Sequence, residues 1–335
     1  MPILPGELQL PEVPRTTLQS GCKSGLVSIP RHLVALGETL FGLRYADFAK
    51  SLTFDYGNPH GAIIPGMEMC IASVRTDATA VMHLANGRRR VSHEFKHRDV
   101  YGMKAHLNAN TTDLIVDIGS NTGEFTLTAS RMAPRAMIIT VEPAPTTYWL
   151  MRLNLWLNGV VARSAEAWDG RLAAGIQHVG RGTRHSVSRG ESNGKDRRLH
   201  GVFPLLAAVG YEKGSTNISY STSRSMYAVT GTNVSVSGWL RQEVPQFGLT
   251  DLIDDHRVAM LKMDCEGCEF PAIAGAPGLF ADKSRVRAFA AEWHLSLLNP
   301  STYTYGVKPS PHVKSIALEA FRARGCPQGK WNVIC

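Results

Sequence analysis

The stretch TDLIVDIGSNTG, residues Thr112 to Gly123, decides the fold of this chain. Its run Leu114–Ile118 is short and mainly apolar, which is typical of a strand buried on both faces of a parallel sheet. Gly119 and Gly123 then allow the backbone to pass close to a ligand. Glu124–Met132 follows as a predicted helix. Because ligands of open α/β sheets bind where such strands end, the stretch predicts a nucleotide site.

The spacing of this turn, D-x-G-x-N-x-G, differs from the G-x-G-x-x-G of dinucleotide-binding enzymes. Asn121 occupies its middle, and asparagine is the non-glycine residue that best tolerates a left-handed backbone. The next apolar run, Ala136–Val141, ends in Glu142. That is about the distance at which α/β proteins place a carboxylate for ribose hydroxyls. We therefore expect Asp117 and Glu142 to face one cleft.

Three blocks in order, VDIGSNTGEFT, VEPAP and LKMDCEGCEF, resemble the successive motifs of the FkbM-type S-adenosylmethionine-dependent methyltransferases. The resemblance extends from about Tyr101 to His294. It implies a class I methyltransferase fold, which is a Rossmann-like, doubly wound and mostly parallel α/β sheet. It also implies S-adenosylmethionine as methyl donor and a hydroxyl on a small molecule or carbohydrate as acceptor. The acceptor's identity and the oligomeric state stay open.

The resemblance assigns donor-binding roles to residues that match its motifs. Those expected at the methionine end of the donor are Asp117, Gly119, Ser120, Asn121 and Gly123. Glu142 is expected on the ribose. Glu166 follows the predicted third strand, Val160–Arg163, and is expected near the adenine.

A second group of candidate catalytic residues lies at the carboxyl ends of two later apolar runs. It consists of Asp264, Glu292 and His294. A hydroxyl is a poor nucleophile near neutral pH, so methylation of oxygen needs a base or a metal. His294 has a suitable ordinary pKa for a base, with Asp264 orienting the hydroxyl. Alternatively, the three side chains bind a divalent ion, which is less favoured, or Glu292 and His294 only hydrogen-bond the sheet edge.

A competing signal is His93-Glu94-Phe95-Lys96-His97, which fits the H-E-x-x-H pattern of zinc hydrolases. Its flanks are polar, and the longer pattern fails at Val100 and Met103. We therefore interpret Val91–Leu107 as an amphipathic helix before the first strand. The remaining alternative is a catalytically silent α/β domain that binds a nucleotide or a partner.

The composition of the 335 residues, 44% hydrophobic and 19% charged, predicts a globular protein with one large domain or a domain with an extension. Residues 1–100 form a proline-rich arm with a helix around His32–Phe48, and residues 101–335 form the methyltransferase domain. Half of the net charge of +8 lies in a Gly/Ser-rich insertion at residues 178–200. This insertion is a solvated loop, or else a lid or a contact for an acidic substrate. Aromatic residues are not interleaved with its charges, so nucleic acid is disfavoured as a partner.

Later elements are expected from similar patterns. Pro145–Asn158 predicts a helix, and its stripe of Tyr148, Trp149, Leu153 and Trp156 indicates core packing rather than a cofactor box. Val313–Arg324 predicts a last helix. After it, only Lys330–Ile334 remains to supply a strand, so either the sheet lacks its last strand or the chain is a fragment.

The cysteines, at 22, 70, 265, 268, 326 and 335, are sparse for a disulfide scaffold and are interpreted as reduced thiols. Cys265 and Cys268 are interpreted as packing residues rather than a redox or zinc pair. Neither a signal peptide nor a membrane span is evident, which favours the cytoplasm. N-glycosylation sequons at Asn110, Asn217 and Asn233 matter only if the chain is secreted.

Overall fold

A computed structural model of the chain describes residues 22, 27–41, 52–57, 69–74, 99–163, 200–220, 228–230, 240–265, 267–292, 309–327 and 332–335. The helices are α1 (Arg31–Phe41), α2 (Met103–His106), α3 (Glu124–Met132), α4 (Pro145–Leu157), α5 (Leu249–Ile253), α6 (Glu269–Gly275), α7 (Pro277–Ala281) and α8 (Pro311–Arg324). The strands are β1 (Leu52–Gly57), β2 (Met69–Val74), β3 (Leu114–Ile118), β4 (Met137–Val141), β5 (Gly201–Leu205), β6 (Ala208–Val209), β7 (Gly214–Tyr220), β8 (Ala228–Thr230), β9 (Leu240–Phe247), β10 (Val258–Met263), β11 (Val286–Glu292) and β12 (Asn332–Ile334). None of these helices has the length and apolar composition needed to cross a bilayer.

A six-stranded sheet with the order β12-β11-β10-β3-β4-β5 forms the centre of the molecule. Neighbouring strands from β11 to β5 are parallel, and β12 is antiparallel to β11. This confirms the expected mostly parallel, Rossmann-like α/β fold. Since β3 lies between β10 and β4, the carboxyl ends of these three strands meet at one edge.

Helices cover both faces of the sheet, which explains the unbroken apolar runs of its strands. Along β3, Val116 packs into a cluster with residues of α5, α6 and α8. Its neighbour Ile115 points to the opposite face and packs with residues of α3 and α4. Every residue of β3 is buried, including Asp117.

A second sheet, with the order β6-β9-β7-β8, follows β5 in the chain. Its buried residues Ile218, Tyr220 and Val244 pack with Ala144, just beyond β4. A Cβ added to Gly275 at the end of α6 would lie 1.9 Å from the carbonyl oxygen of Tyr211. This second sheet therefore packs close to the edge at which the parallel strands end.

The described part of the arm packs on α4. The Trp149 Nε1 atom donates to the carbonyl oxygen of Leu33 at 2.6 Å. The backbone N–H groups of Cys70 and Ala72 donate to the side-chain oxygens of Asn158 at 3.0 Å and Asn154 at 2.7 Å. The aromatic stripe of α4 is confirmed as core, but most of it faces the arm: Trp149, Leu153 and Trp156 pack with Leu33 and Leu52, and Tyr148 packs against the sheet.

The structure corrects several boundaries. Val160–Arg163 is not the third strand: only Ala162 makes a single parallel bridge, to Val202, and β5 pairs with β4 instead. As expected, the residues after α8 supply one strand, β12, which pairs with β11. Within the helix predicted over Val91–Leu107, the structure describes only α2, and residues 91–98 lie outside the described residues. Residues 42–48 after α1 and residues 178–199 of the insertion also lie outside them.

The interpretation of the cysteines as reduced thiols is wrong in this structure. Disulfides join Cys22 to Cys70, Cys265 to Cys268, and Cys326 to Cys335. The first joins residue 22 of the arm to β2. The last joins the end of α8 to the residue after β12. Pairing depends on which cysteines the fold brings within reach, and the density of cysteines in the sequence does not show this.

Candidate active site

The turn after β3 has the backbone that its sequence predicts. Gly119, Asn121 and Gly123 all have positive φ angles, of 71°, 50° and 87°. The backbone N–H groups of Gly119 and Ser120 both donate to the carbonyl oxygen of Val141, at 3.0 and 3.1 Å. A Cβ on Gly119 would lie 1.8 Å from the carbonyl oxygen of Asp264. The turn is therefore held between the ends of β4 and β10.

Glu142 lies directly beside this turn. Its Oε2 accepts a hydrogen bond from the backbone N–H of Asn121 at 2.9 Å, and its Oε1 accepts one from the N–H of Ala144 at 2.9 Å. Burial raises the pKa of Glu142 to about 7, although these two hydrogen bonds and the charge of Lys262 act in the opposite direction. Each carboxylate oxygen has a second lone pair for a ligand hydroxyl.

Asp117 and Lys262 form a buried ion pair under the turn. The Lys262 Nζ atom lies 3.1 Å from Asp117 Oδ1 and donates to the carbonyl oxygen of Gly119 at 2.7 Å. The hydroxyl of Thr126 donates to Asp117 Oδ2 at 2.6 Å. Burial alone would lower the pKa of Lys262, but the charges of Asp117 and Asp264 outweigh it, so the net shift is upward. Asp117 thus supports the turn from below, because its side chain is fully buried.

Asp264 lies at the open side of the same group. Its side chain is 26% exposed, and its Oδ2 lies 4.0 Å from Lys262 Nζ. The hydroxyl of Tyr101 donates to this Oδ2 at 3.0 Å. The Lys262 Nζ atom also lies 5.6 Å from the centre of the Tyr101 ring. Burial, together with the nearby charges of Asp264 and Glu292, raises the pKa of Tyr101 well above 10, so it stays a hydrogen-bond donor.

Sequence reasoning missed Tyr101 and gave no role to Lys262. Tyr101 precedes β3 and carries no spacing signal that would connect it with Asp264, 163 residues further on. Lys262 was part of the LKMDCEGCEF block, and its position within an apolar strand was a signal of a paired, buried charge.

The other predicted catalytic residues are only partly placed. Glu292 ends β11 and is half-buried, and its charge acts on Tyr101. His294 and Glu166 lie outside the described residues, as does the whole His93–His97 pattern. No cluster of three or more possible metal ligands occurs within the described ranges. The roles given to these residues remain predictions.

The residues around the turn fit S-adenosylmethionine, whose hydrogen-bond donors include an ammonium and two ribose hydroxyls. The side-chain oxygen of Asn121 is buried and accepts no hydrogen bond from any described residue. A buried acceptor without a donor is costly, and a donor group on a ligand removes that cost. Glu142 supplies two further acceptor positions next to Asn121.

Known proteins and one protein family are similar to parts of this chain. The model of the Methyltransferase FkbM domain matches residues 117–299, more than half of the 335 residues. A protein of Beauveria bassiana (strain ARSEF 2860) named Methyltransferase 1 is 36% identical over 78 residues, which are 23% of this chain and 31% of that protein. A solved structure of methyltransferase FkbM from Methylobacillus flagellatus KT is 14% identical, with a TM-score of 0.30, and the match covers 67% of this chain and 42% of that one. In both cases the chain spans less than half of the relative's length. Because the family model matches more than half of its residues, this chain belongs to the FkbM methyltransferase family.

Proposed function

We propose that this methyltransferase transfers a methyl group from S-adenosylmethionine to a hydroxyl oxygen of a small molecule or carbohydrate. The observation that carries the proposal is the contact between Asn121 and Glu142 across the ends of β3 and β4. It combines a positive-φ backbone with a buried carboxylate at the edge of a parallel sheet, where α/β proteins bind nucleosides.

The donor supplies an electrophilic methyl carbon, because that carbon is bonded to a sulfonium sulfur. The protein's task is then to orient donor and acceptor in line and to remove the acceptor's proton. Glu142 accepts from the ribose hydroxyls, and Asn121 accepts from the ammonium group. Gly119, Ser120 and Gly123 line the path of the methionine chain, with Asp117 and Lys262 fixing the turn beneath them.

Asp264, the partly exposed carboxylate of the group, orients the acceptor, whose reacting hydroxyl donates to His294. Tyr101 and Lys262 hold that carboxylate in place from the buried side. His294 takes the proton as the methyl group moves, and Glu292 lines the same edge. The acidic surroundings favour an acceptor that donates a hydrogen bond, such as a hydroxyl, over an anionic one.

Calorimetry with S-adenosylhomocysteine tests the donor site directly. We expect micromolar binding to the full chain, and a loss of at least tenfold in affinity for Glu142→Ala, because two ribose hydroxyls lose a charged acceptor. Glu319→Ala is the matched control, since Glu319 is an exposed carboxylate on α8. Failure of the full chain to bind the ligand would refute the donor assignment.

Transfer from donor labelled in its methyl group into a cell extract tests the acceptor assignment. We expect a labelled product whose methyl carbon is bonded to oxygen, as mass spectrometry and NMR would show. His294→Gln should lower turnover while donor affinity stays near that of the wild type. Donor binding with no labelled product from any extract would favour the catalytically silent alternative, and a methylated nitrogen or carbon would contradict the choice of oxygen.

A further inference from the structure

All six cysteines of the chain are paired in disulfides. One pair spans 48 residues and fixes the arm, whereas another fixes the end of the chain beside β12. Cytosolic thiols are kept reduced, and stable structural disulfides form in oxidising compartments. The pattern therefore indicates that the chain folds in an oxidising compartment rather than in the cytoplasm that its sequence favoured.

In such a compartment asparagines of N-glycosylation sequons can receive a glycan. Two of the three sequons lie in described residues, and they differ in how accessible they are. Asn110 is exposed in the turn that precedes β3, and the hydroxyl-bearing residue of its sequon, Thr112, is partly exposed. The turn is closed by a hydrogen bond from the N–H of Thr111 to the carbonyl oxygen of Asn108, at 3.0 Å. The backbone N–H of Asn110 donates to the Asn108 side chain at 2.9 Å, so the turn that carries the exposed Asn110 has a fixed backbone.

Asn217 is poorly placed to receive a glycan, because its backbone is paired in a sheet and the hydroxyl of its sequon is buried. It lies in β7, which is hydrogen-bonded on both sides, to β8 and to β9. The hydroxyl of its sequon belongs to Ser219, which is only 3% exposed. The third sequon, at Asn233, lies outside the described residues.

The position of Asn110 is also compatible with the proposed reaction. Asn110 lies before the amino end of β3, whereas Gly119 and Glu142 lie at the carboxyl ends of β3 and β4. Five strand residues separate the two edges, which is about 16 Å at the usual rise per residue. A bulky, hydrophilic group on Asn110 would therefore leave the donor site open.

We propose that Asn110 is an N-glycan acceptor, modified by an oligosaccharyltransferase in the oxidising compartment where the disulfides form. The bond that forms joins the Asn110 side-chain nitrogen to the anomeric carbon of the glycan. The bond that breaks joins that carbon to a lipid-linked pyrophosphate, which leaves as the anion. The amide nitrogen gives up one proton to the transferase, and no oxidant or reductant is consumed.

The test uses the full chain isolated from its own source. Free thiols are alkylated without a reductant, and the tryptic peptides are then treated with a peptide N-glycosidase in water labelled with heavy oxygen. We expect no alkylated cysteine and a heavy aspartate at position 110 in the peptide Ala105–Arg131. The peptide Gly214–Arg224, which contains Asn217, is the internal control and should stay unmodified.

Variants made in the same source confirm the assignment. Asn110→Gln and Thr112→Ala should each remove one glycan from the protein on a denaturing gel, and Asn217→Gln should not. Six alkylated cysteines would contradict the conclusion that the chain folds in an oxidising compartment. An unmodified Asn110 in an oxidised chain would refute the assignment of Asn110 as the glycosylated residue. This holds also if Asn217 or Asn233 carries the glycan instead. Donor binding is not part of the readout, so the result is independent of the proposed function.

Discussion

At the scale of single residues, the site depends on hydrogen bonds to carboxylates, and that of Tyr101 to Asp264 is the easiest to remove alone. Tyr101→Phe keeps the ring that packs edge-on against Phe125, with centroids 5.6 Å apart, but removes the donor to Asp264. We expect turnover to fall about tenfold, because a hydrogen bond to a charged group contributes about 1.5 kcal/mol or more.

A split between turnover and binding distinguishes positioning from a general structural role. In Tyr101→Phe, the affinity for S-adenosylhomocysteine and the midpoint of urea unfolding should stay close to those of the wild type. Tyr211→Phe is the control, since the Tyr211 side chain is 46% exposed. Equal losses of turnover and donor affinity in Tyr101→Phe would show that Tyr101 supports the turn as a whole.

The raised pKa of Glu142 makes donor binding depend on pH. Because its pKa is about 7 in the folded protein, Glu142 takes up a proton as the pH falls below 7. Ribose hydroxyls donate to the charged carboxylate, so binding should weaken by about tenfold between pH 8 and pH 6. In the free protein the sign is opposite: stability rises as the pH falls from 7 towards 4.5, where the unfolded group titrates.

Calorimetry at a series of pH values with S-adenosylhomocysteine measures this effect. Glu142→Gln removes the titrating group, so its weaker binding should be nearly constant between pH 6 and pH 8. A wild-type affinity that does not change over the same range would mean that Glu142 is not in contact with the donor.

At the scale of elements, the turn between β3 and α3 requires glycine for two separate reasons. Gly119 has a φ of 71°, and a side chain there would meet the carbonyl oxygen of Asp264 at 1.8 Å. Backbone atoms cannot move aside as the end of a side chain can. We therefore expect Gly119→Ala to destabilise the protein by on the order of 3 kcal/mol and to abolish donor binding.

Gly214→Ala is the matched control for this change. Gly214 begins β7, and an added Cβ there meets nothing within 4 Å. Urea unfolding and calorimetry on the two variants should show a large loss of stability only for Gly119→Ala. A stable Gly119→Ala protein with normal donor affinity would contradict the close approach of β10 to the turn.

The elements that the sequence predicted well are those whose patterns are local. Glu124–Met132 was predicted with both ends correct, because a glycine precedes it and a proline follows closely. The strand beside β4 was predicted at the wrong segment, since Val160–Arg163 and Gly201–Leu205 are both short apolar runs. Choosing between them depends on pairing between distant segments, which no local pattern encodes. The contact of Tyr101 with Asp264 escaped prediction for the same reason.

At the scale of the whole molecule, the arm and the end of the chain are held to the α/β core by different devices. The arm is held by Trp149 and Asn154 of α4, by Asn158 just after it, and by a disulfide. At the other end, the guanidinium of Arg324 donates to the carbonyl oxygens of Phe280 and Val286, at 2.9 and 2.8 Å, within the core. Burial lowers the pKa of Arg324 to about 10, so it stays charged at neutral pH.

The disulfides allow these two attachments to be compared by loop length. In the chain-entropy model, closing the loop between Cys22 and Cys70, 48 residues apart, stabilises the fold by about 4 kcal/mol. For Cys326 and Cys335, 9 residues apart, the same model gives about 2.5 kcal/mol. We therefore expect the double variant Cys22→Ser, Cys70→Ser to lose more stability than Cys326→Ser, Cys335→Ser, as measured by urea unfolding without a reductant.

The spectroscopic signal tells which part of the molecule is affected. Trp149 is fully buried beneath the arm, so loss of the 48-residue loop should also shift tryptophan fluorescence at low urea towards that of an exposed indole. Trp331 lies inside the 9-residue loop, so both double variants are made in a Trp331→Phe background. There, loss of the 9-residue loop should leave the fluorescence of Trp149 unchanged, since α8 and β12 do not pack on α4. If the two double variants lost equal stability and neither changed the fluorescence, the first disulfide would contribute nothing to fixing the arm, and the attachment would rest on Asn154, Asn158 and Trp149 alone.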